Sequence, residues 1–246
     1  MNYKLVVSYD GSRYRGWQRL GDSDATIQGK IETVLSRMTG EEIELIGSGR
    51  TDAGVHALMQ VANFHTATTL ISCNEIESYL RSYLPEDIGV LSVTEVDERF
   101  HSRFHAVEKT YRYRIWNSSS PCVFDRKYVW RLEDELDIER MIDAAHAFIG
   151  EHDFLAFCSN KHFKKSSVRT VSSFRIERIG HEVVFTVTAN GFLYNMVRIM
   201  VGTLVEIGLG KLHKEDIPVI FESRVRENAG ITAPAKGLCL MEVRYE

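Results

Sequence analysis

Apolar and polar positions alternate from Tyr3 to Asp10 and the run ends at Asp10-Gly11, which predicts a strand closed by a turn. Ile27, Ile31, Val34, Leu35 and Met38 then recur at helical spacing. Glu42-Ile43-Glu44-Leu45 alternates again and predicts a second strand, which breaks at Gly47-Ser48-Gly49 and resumes after Gly54 toward Val61 and Phe64. Ser72 with Glu75 three residues later is a capping-box signal for a helix whose face is Ile76, Tyr79, Leu80, Tyr83 and Leu84. Pro85 follows that helix, and Ile88 to Val96 reads as another strand. The resulting order, βαββαβ, is the ferredoxin-like pattern, which also serves a large class of RNA-binding sheets.

From Val107 the pattern starts over. A strand is expected from Val107 to Trp116, a helix on Ile138, Met141, Ile142, Ala145 and Phe148, strands near Phe174 and Phe185, a helix over 191–208 and a strand from Leu238 to Tyr245. An extra strand near Tyr128 to Arg131, a polar loop from Ser159 to Ser167 and a short helix near 214–223 decorate this part. The predicted fold class is therefore α+β: two ferredoxin-like halves, 1–105 and 106–246, facing each other across a central cleft with extended antiparallel sheet.

Composition narrows the class. The chain has 246 residues, 44% hydrophobic and 26% charged, with only 4 prolines and no low-complexity tract, as expected of a packed soluble protein. The N-terminal residues lack a secretory pattern, and the longest apolar stretch, Phe192 to Leu209, contains Asn195, Arg198 and Glu206, which argues against a bilayer span. A cytoplasmic location is expected, with no membrane partner. Cys73, Cys122, Cys158 and Cys239 are widely spaced and signal neither a zinc site nor a disulfide framework. The net charge of -4 argues mildly against a polyanionic partner, but the charge is segregated. Lys161, Lys164, Lys165, Arg169, Arg175 and Arg178 surround only Glu177, and Arg99, Arg103, Lys109, Arg112 and Arg114 surround only Glu108, while acid collects between Glu133 and Asp153. That pattern fits a polyanion groove with an acidic outer face, and equally a solvated surface.

Three segments hold candidate chemistry. Gly47-Ser-Gly-Arg-Thr-Asp-Ala-Gly-Val-His56 is too different from a dinucleotide or P-loop fingerprint to cradle phosphates: Asp52 stands where a third glycine is needed, and the P-loop lysine is missing. It remains a tight loop presenting Arg50 and Asp52, with Asp52 placed as a nucleophile or base, or else hydrogen-bonded to its own turn. Arg198 interrupts an otherwise apolar helix and needs a partner to offset its desolvation; Gly202, on the same stripe as Asn195 and Arg198, leaves room for another chain to approach. On the strand from Val107, Tyr111, Tyr113 and Ile115 share one face and Arg112 and Arg114 the other; a tyrosine at a cleft edge can stack on an exposed base, although strand tyrosines are more often core. Tyr9-Asp10-Gly11, Tyr14 and Gly16-Trp17-Gln18 interleave with Arg13, Arg15 and Arg19 in a loop, either a polyanion contact or simple loop packing. His101 and His105 match a metal pair only if helical, and their flanks read as extended.

The sequence resembles the TruA family of tRNA pseudouridine synthases along almost its whole length: YDGSRYRGWQ from Tyr9, TIQGKIE from Thr26, GSGRTDAGVHA from Gly47, LPEDI from Leu84, FHSRFHAVEKTYRYRI from Phe100, NMVRIMVGTLVEIG from Asn195 and GLCLMEV from Gly237. The resemblance implies two facing α+β halves, a homodimer, no cofactor or metal, and isomerisation of uridine to pseudouridine in the tRNA anticodon stem-loop at positions 38 to 40. It implies further that Asp52 is the catalytic aspartate acting at the ribose C1′, that Arg50 helps to extrude the target nucleotide, that Tyr111 stacks on the uracil, and that Arg198 pairs with Asp52. The sequence departs from the family at Leu80-Arg81-Ser82, where an Asn is usual, and in the 159–167 loop. The alternatives are a noncatalytic RNA-binding protein and a pseudouridine synthase acting at other RNA positions; a metal or nucleotide enzyme is disfavoured by the missing lysine and poor ligand spacing.

Overall fold

The computed structural model describes residues 1–21, 25–68, 71–160 and 164–246. Along the chain run β1 (Asn2–Tyr9), α1 (Ile27–Thr39), β2 (Ile46–Gly47), β3 (His56–His65), α2 (Cys73–Tyr83) and β4 (Ile88–Val96). They are followed by β5 (Ala106–Asn117), β6 (Trp130–Leu132), α3 (Ile138–Ala145), β7 (Gly150–Asp153), β8 (Val168–Ile179), β9 (Glu182–Ala189), α4 (Met196–Gly208), α5 (Asp216–Ser223) and β10 (Leu238–Tyr245). The class is mixed α+β. The chain divides into one unit of Met1–Val107 with Leu240–Glu246 and a second of Glu108–Cys239.

In the first unit β1 is central, antiparallel to β4 on one side and β3 on the other, with β2 also antiparallel to β3. The alternation in β1 is a burial pattern: Tyr3, Leu5, Val7 and Tyr9 are all buried. α1 starts where the Thr26 hydroxyl accepts the Gly29 N–H (3.3 Å) and ends at Gly40 in the left-handed region (φ 73°). Its Ile27, Ile31 and Leu35 are fully buried, each stabilising the fold by roughly 1.5–3 kcal/mol. The Ser72–Glu75 capping box of α2 is present in both directions, with Ser72 N–H to Glu75 at 2.8 Å and Glu75 N–H to Ser72 at 3.3 Å. Ile76 and Leu80 are buried, whereas Tyr83 is exposed and lies against Tyr79.

The expected strand at Glu42–Leu45 does not form a ladder. Ile43 and Leu45 are buried as their alternation demands, but side chains take the backbone bonds that a partner strand would have made. Ile43 N–H donates to the Ser36 hydroxyl (3.0 Å), Leu45 N–H to the Glu32 carboxylate (2.9 Å), and Leu45 C=O accepts from Gln28 (3.0 Å). Pairing begins only at Ile46.

In the second unit β5 pairs antiparallel with β9, β9 with β8 and β8 with β7, while β6 lies parallel to β5. The sequence pattern does not announce β7, because Gly150-Glu-His-Asp153 is short and carries no apolar alternation. α4 begins at Met196 rather than at 191, because Asn195 takes a left-handed conformation (φ 63°) that an L-residue helix does not sustain. Every residue of α4 is buried except Arg198 and Glu206. Of the polar 159–167 loop, Lys161, His162 and Phe163 lie outside the described residues. Among the described residues no helix is long and apolar enough to cross a membrane.

Candidate active site

The Asp52 turn lies in the first unit between β2 and β3. Its closure is made by main-chain groups: Val55 N–H donates to Asp52 C=O (3.1 Å). The Tyr9–Trp17 segment clamps the turn, with Trp17 N–H donating to Thr51 C=O (3.0 Å) and Gly54 N–H to Tyr14 C=O (3.3 Å). Gly16 makes this approach possible. Its φ is +96°, and a Cβ there would stand 2.6 Å from the Thr51 carbonyl oxygen. The Thr51 hydroxyl is hydrogen-bonded to the Tyr9 hydroxyl (2.8 Å), and the buried His56 ring accepts the Gly11 N–H through Nδ1 (3.1 Å). Upstream, Ser48 and Gln60 bond side chain to side chain (2.6 Å), and Gln60 donates to Gly49 C=O (3.0 Å). The two candidate residues on this scaffold differ in exposure: Asp52 is half-buried and Arg50 exposed.

The supporting loop is itself anchored. Tyr14 donates its hydroxyl to Asp87 Oδ1 (2.6 Å) and Arg13 its Nε to Oδ2 (2.9 Å). Burial pushes the Asp87 carboxyl up, but the bonds from Tyr14 and Arg13 and the guanidinium charge outweigh it and hold the group below the usual carboxylate range. The Tyr14 phenol is pushed up, first by burial and then by Asp87.

In the second unit Tyr111 and Tyr113 sit on β5 opposite Val187 and Phe185 of β9. Both are buried, and the Tyr111 ring meets Phe192 edge-on, with centroids 5.0 Å apart at 85°. Tyr113 donates its hydroxyl to Pro234 C=O (2.7 Å). Arg198, half-buried on α4, donates Nε to Ala233 C=O (2.7 Å) and Nη1 to Asn195 Oδ1 (2.8 Å), and its own carbonyl accepts from Ala233 N–H (3.1 Å). The chain that approaches at Gly202 is thus residues 230–233 of the same unit: a Cβ on Gly202 would lie 1.8 Å from the Ile231 carbonyl oxygen. Arg226 fixes that strap through Gly230 C=O (2.9 Å) and the Thr232 hydroxyl (2.8 Å).

Asp52 and Arg50 therefore share one turn of the first unit, and Tyr111 and Arg198 belong to the second. Some of the basic residues singled out in the sequence are occupied structurally. Arg114 is paired with Glu182 (Nε to carboxylate, 2.8 Å), Arg178 donates to Asn117 (2.7 Å) and Arg169 to Ser166 C=O (2.8 Å), whereas Arg99, Arg103, Arg112, Lys164, Lys165 and Arg175 are exposed. The 226–234 strap and the Tyr14–Asp87 anchor leave no signal in the sequence, because neither has periodicity and the second joins residues far apart in the chain.

A family model described as tRNA pseudouridine synthase matches residues 5–105 and 144–246. The tRNA pseudouridine synthase A of Bacillus sp. strain KSM-64 is 52% identical over 244 residues, covering 99% of each chain. A tRNA pseudouridine synthase A 2 of Bacillus cereus is 49% identical, again over 99% of both, and the tRNA pseudouridine synthase A of Acetivibrio thermocellus is 47% identical with the same coverage. The chain belongs to the tRNA pseudouridine synthase family.

Proposed function

We propose that this chain converts uridine to pseudouridine at positions 38, 39 and 40 of the tRNA anticodon stem-loop, with Asp52 as the catalytic aspartate. The N1–C1′ bond breaks, the detached uracil turns, C5 bonds to C1′, and the C5 proton leaves as N1 gains one, so atoms balance without a cofactor. Asp52 acts at C1′, as nucleophile or by proton transfer. Arg198 pairs with it and keeps it ionised, Tyr111 stacks on the uracil, and Arg50 helps to extrude the nucleotide. Extrusion is required because the reacting atoms are inaccessible within a stack. In this reading the halves 1–105 and 106–246 are ferredoxin-like and face each other across the cleft that takes the RNA, and the enzyme is a cytoplasmic homodimer.

The observation that carries the assignment is the main-chain closure of the Asp52 turn. The turn is shut by Val55 N–H and clamped through Trp17 and Gly54 N–H groups, so the backbone bearing the carboxylate is held by bonds that do not involve that carboxylate. Such a fixed mount is the preorganisation that a reacting group needs. The test is to map pseudouridine in an unmodified tRNA transcript after incubation with the wild-type protein and with Asp52→Asn. Modification at 38 to 40 by wild type alone is expected. Modification elsewhere would overturn the positional assignment, and equal modification by Asp52→Asn would overturn the role of Asp52.

A further inference from the structure

The turn joining β4 to β5 is tied down more firmly than its exposed outer residues explain. Ser102 at its centre is fully buried and all its polar groups are bonded: its N–H and hydroxyl donate to Asn63 Oδ1 (2.9 and 2.7 Å), and its carbonyl accepts from the Tyr245 hydroxyl (2.6 Å). Asn63 in turn donates to Asn2 Oδ1 (3.0 Å), and Asn2 donates to the carbonyls of Asp97 and Phe100 (both 2.9 Å). This buried network fixes both ends of the segment 97–102. His101 fixes the next stretch, since its Nδ1 accepts the N–H groups of Arg103 (3.1 Å) and Phe104 (3.3 Å). Burial, the largest cause, pulls the His101 pKa down, which keeps the ring neutral and able to accept.

What this anchored turn holds out is an aromatic ring. Phe104 is 75% exposed, and its ring lies over His101 with centroids 4.1 Å apart and planes at 32°. Two cations precede it on the same turn: Arg99 and Arg103 are exposed, and neither side chain forms an ion pair among the described residues. The neighbouring acids are engaged. Glu98 is 3.6 Å from His65 and 3.7 Å from the N-terminal ammonium, and Asp97 accepts the Arg99 N–H (2.8 Å). An anchored aromatic face on a turn that also carries exposed, unpaired arginines is what an unpaired nucleobase and its adjoining phosphate require: the ring stacks on the base and the cations meet the backbone.

The geometry points to Phe104 as a stacking platform for an unpaired base of the RNA substrate, with Arg103 and Arg99 on the flanking phosphates. It rests on the tRNA reading above and adds a contact outside the Asp52 turn. The test compares Phe104→Ala, Phe104→Trp and Arg103→Ala with wild type in binding to an unmodified tRNA transcript and to a fully paired RNA duplex across a salt series, with wild-type turnover of the same tRNA assayed alongside. Phe104→Ala should bind tRNA about tenfold more weakly and duplex unchanged, with an unaltered unfolding midpoint because the ring is already exposed; Phe104→Trp should retain affinity. Arg103→Ala should weaken both ligands and lower the salt slope by about one. If Phe104→Ala binds tRNA within about twofold of wild type, or loses duplex equally, the platform is wrong while wild-type turnover leaves the enzyme reading standing. If wild type neither binds nor modifies tRNA, both readings fall.

Discussion

Arg198 sits half-buried in a helix whose other residues, Glu206 apart, are buried, so its guanidinium needs hydrogen-bond partners to offset desolvation. Its bonds include those to Ala233 C=O at 2.7 Å and Asn195 Oδ1 at 2.8 Å. Asn195 stands at the helix start in a left-handed conformation, so one residue both sets where α4 begins and aims the arginine. Arg198→Met keeps much of the side chain's volume and removes the charge. On the proposed pairing with Asp52 it should lower kcat by at least about 100-fold while tRNA affinity changes by less than about threefold, read from single-turnover rates and filter binding. Turnover equal to wild type would leave Arg198 a purely structural residue. The candidate residues Asp52 and Arg198 are legible in the sequence because each breaks its local pattern, one among glycines and the other in an apolar helix. Phe192 against Tyr111 is not, since an aromatic beside a buried tyrosine looks like core.

At the scale of elements, the Asp52 turn depends on the Tyr9–Trp17 loop, and that loop depends on Asp87. Arg13 is mostly exposed, so its pair with Asp87 contributes little. The bond from the buried Tyr14, at 2.6 Å, contributes more. Because the folded Asp87 is held below its unfolded pKa of about 3.9, its stabilisation is present above that value and is lost as pH falls through the folded pKa. Asp87→Asn should therefore cost about 1–2 kcal/mol at neutral pH in urea unfolding, and the difference from wild type should shrink below about pH 4. A difference independent of pH would contradict an ionised anchor. Element positions are legible wherever burial imposes a period, as in β1, α1, β4 and β10. They are not legible where side chains stand in for a ladder, at Ile43 and Leu45, or where a polar strand only extends an edge, at Gly150–Asp153.

For the whole molecule, the repeated alternation of strand and helix periods makes the mixed α+β class readable, because a sheet must bury its apolar face against another layer and here the intervening segments carry a helical period. Assembly is not readable in the same way. The sequence shows no self-complementary patch, and the proposed dimer rests on the family resemblance; light scattering at micromolar concentration should give twice the chain mass, and a monomer would overturn it. The central claim, Asp52-dependent chemistry at uridine C5, is tested most directly by tritium release from an unmodified tRNA transcript carrying [5-³H]uridine. Wild type should release tritium and Asp52→Asn should release none while still binding the tRNA. Release by Asp52→Asn at the wild-type rate, or none from wild type on any bound tRNA, would contradict the account.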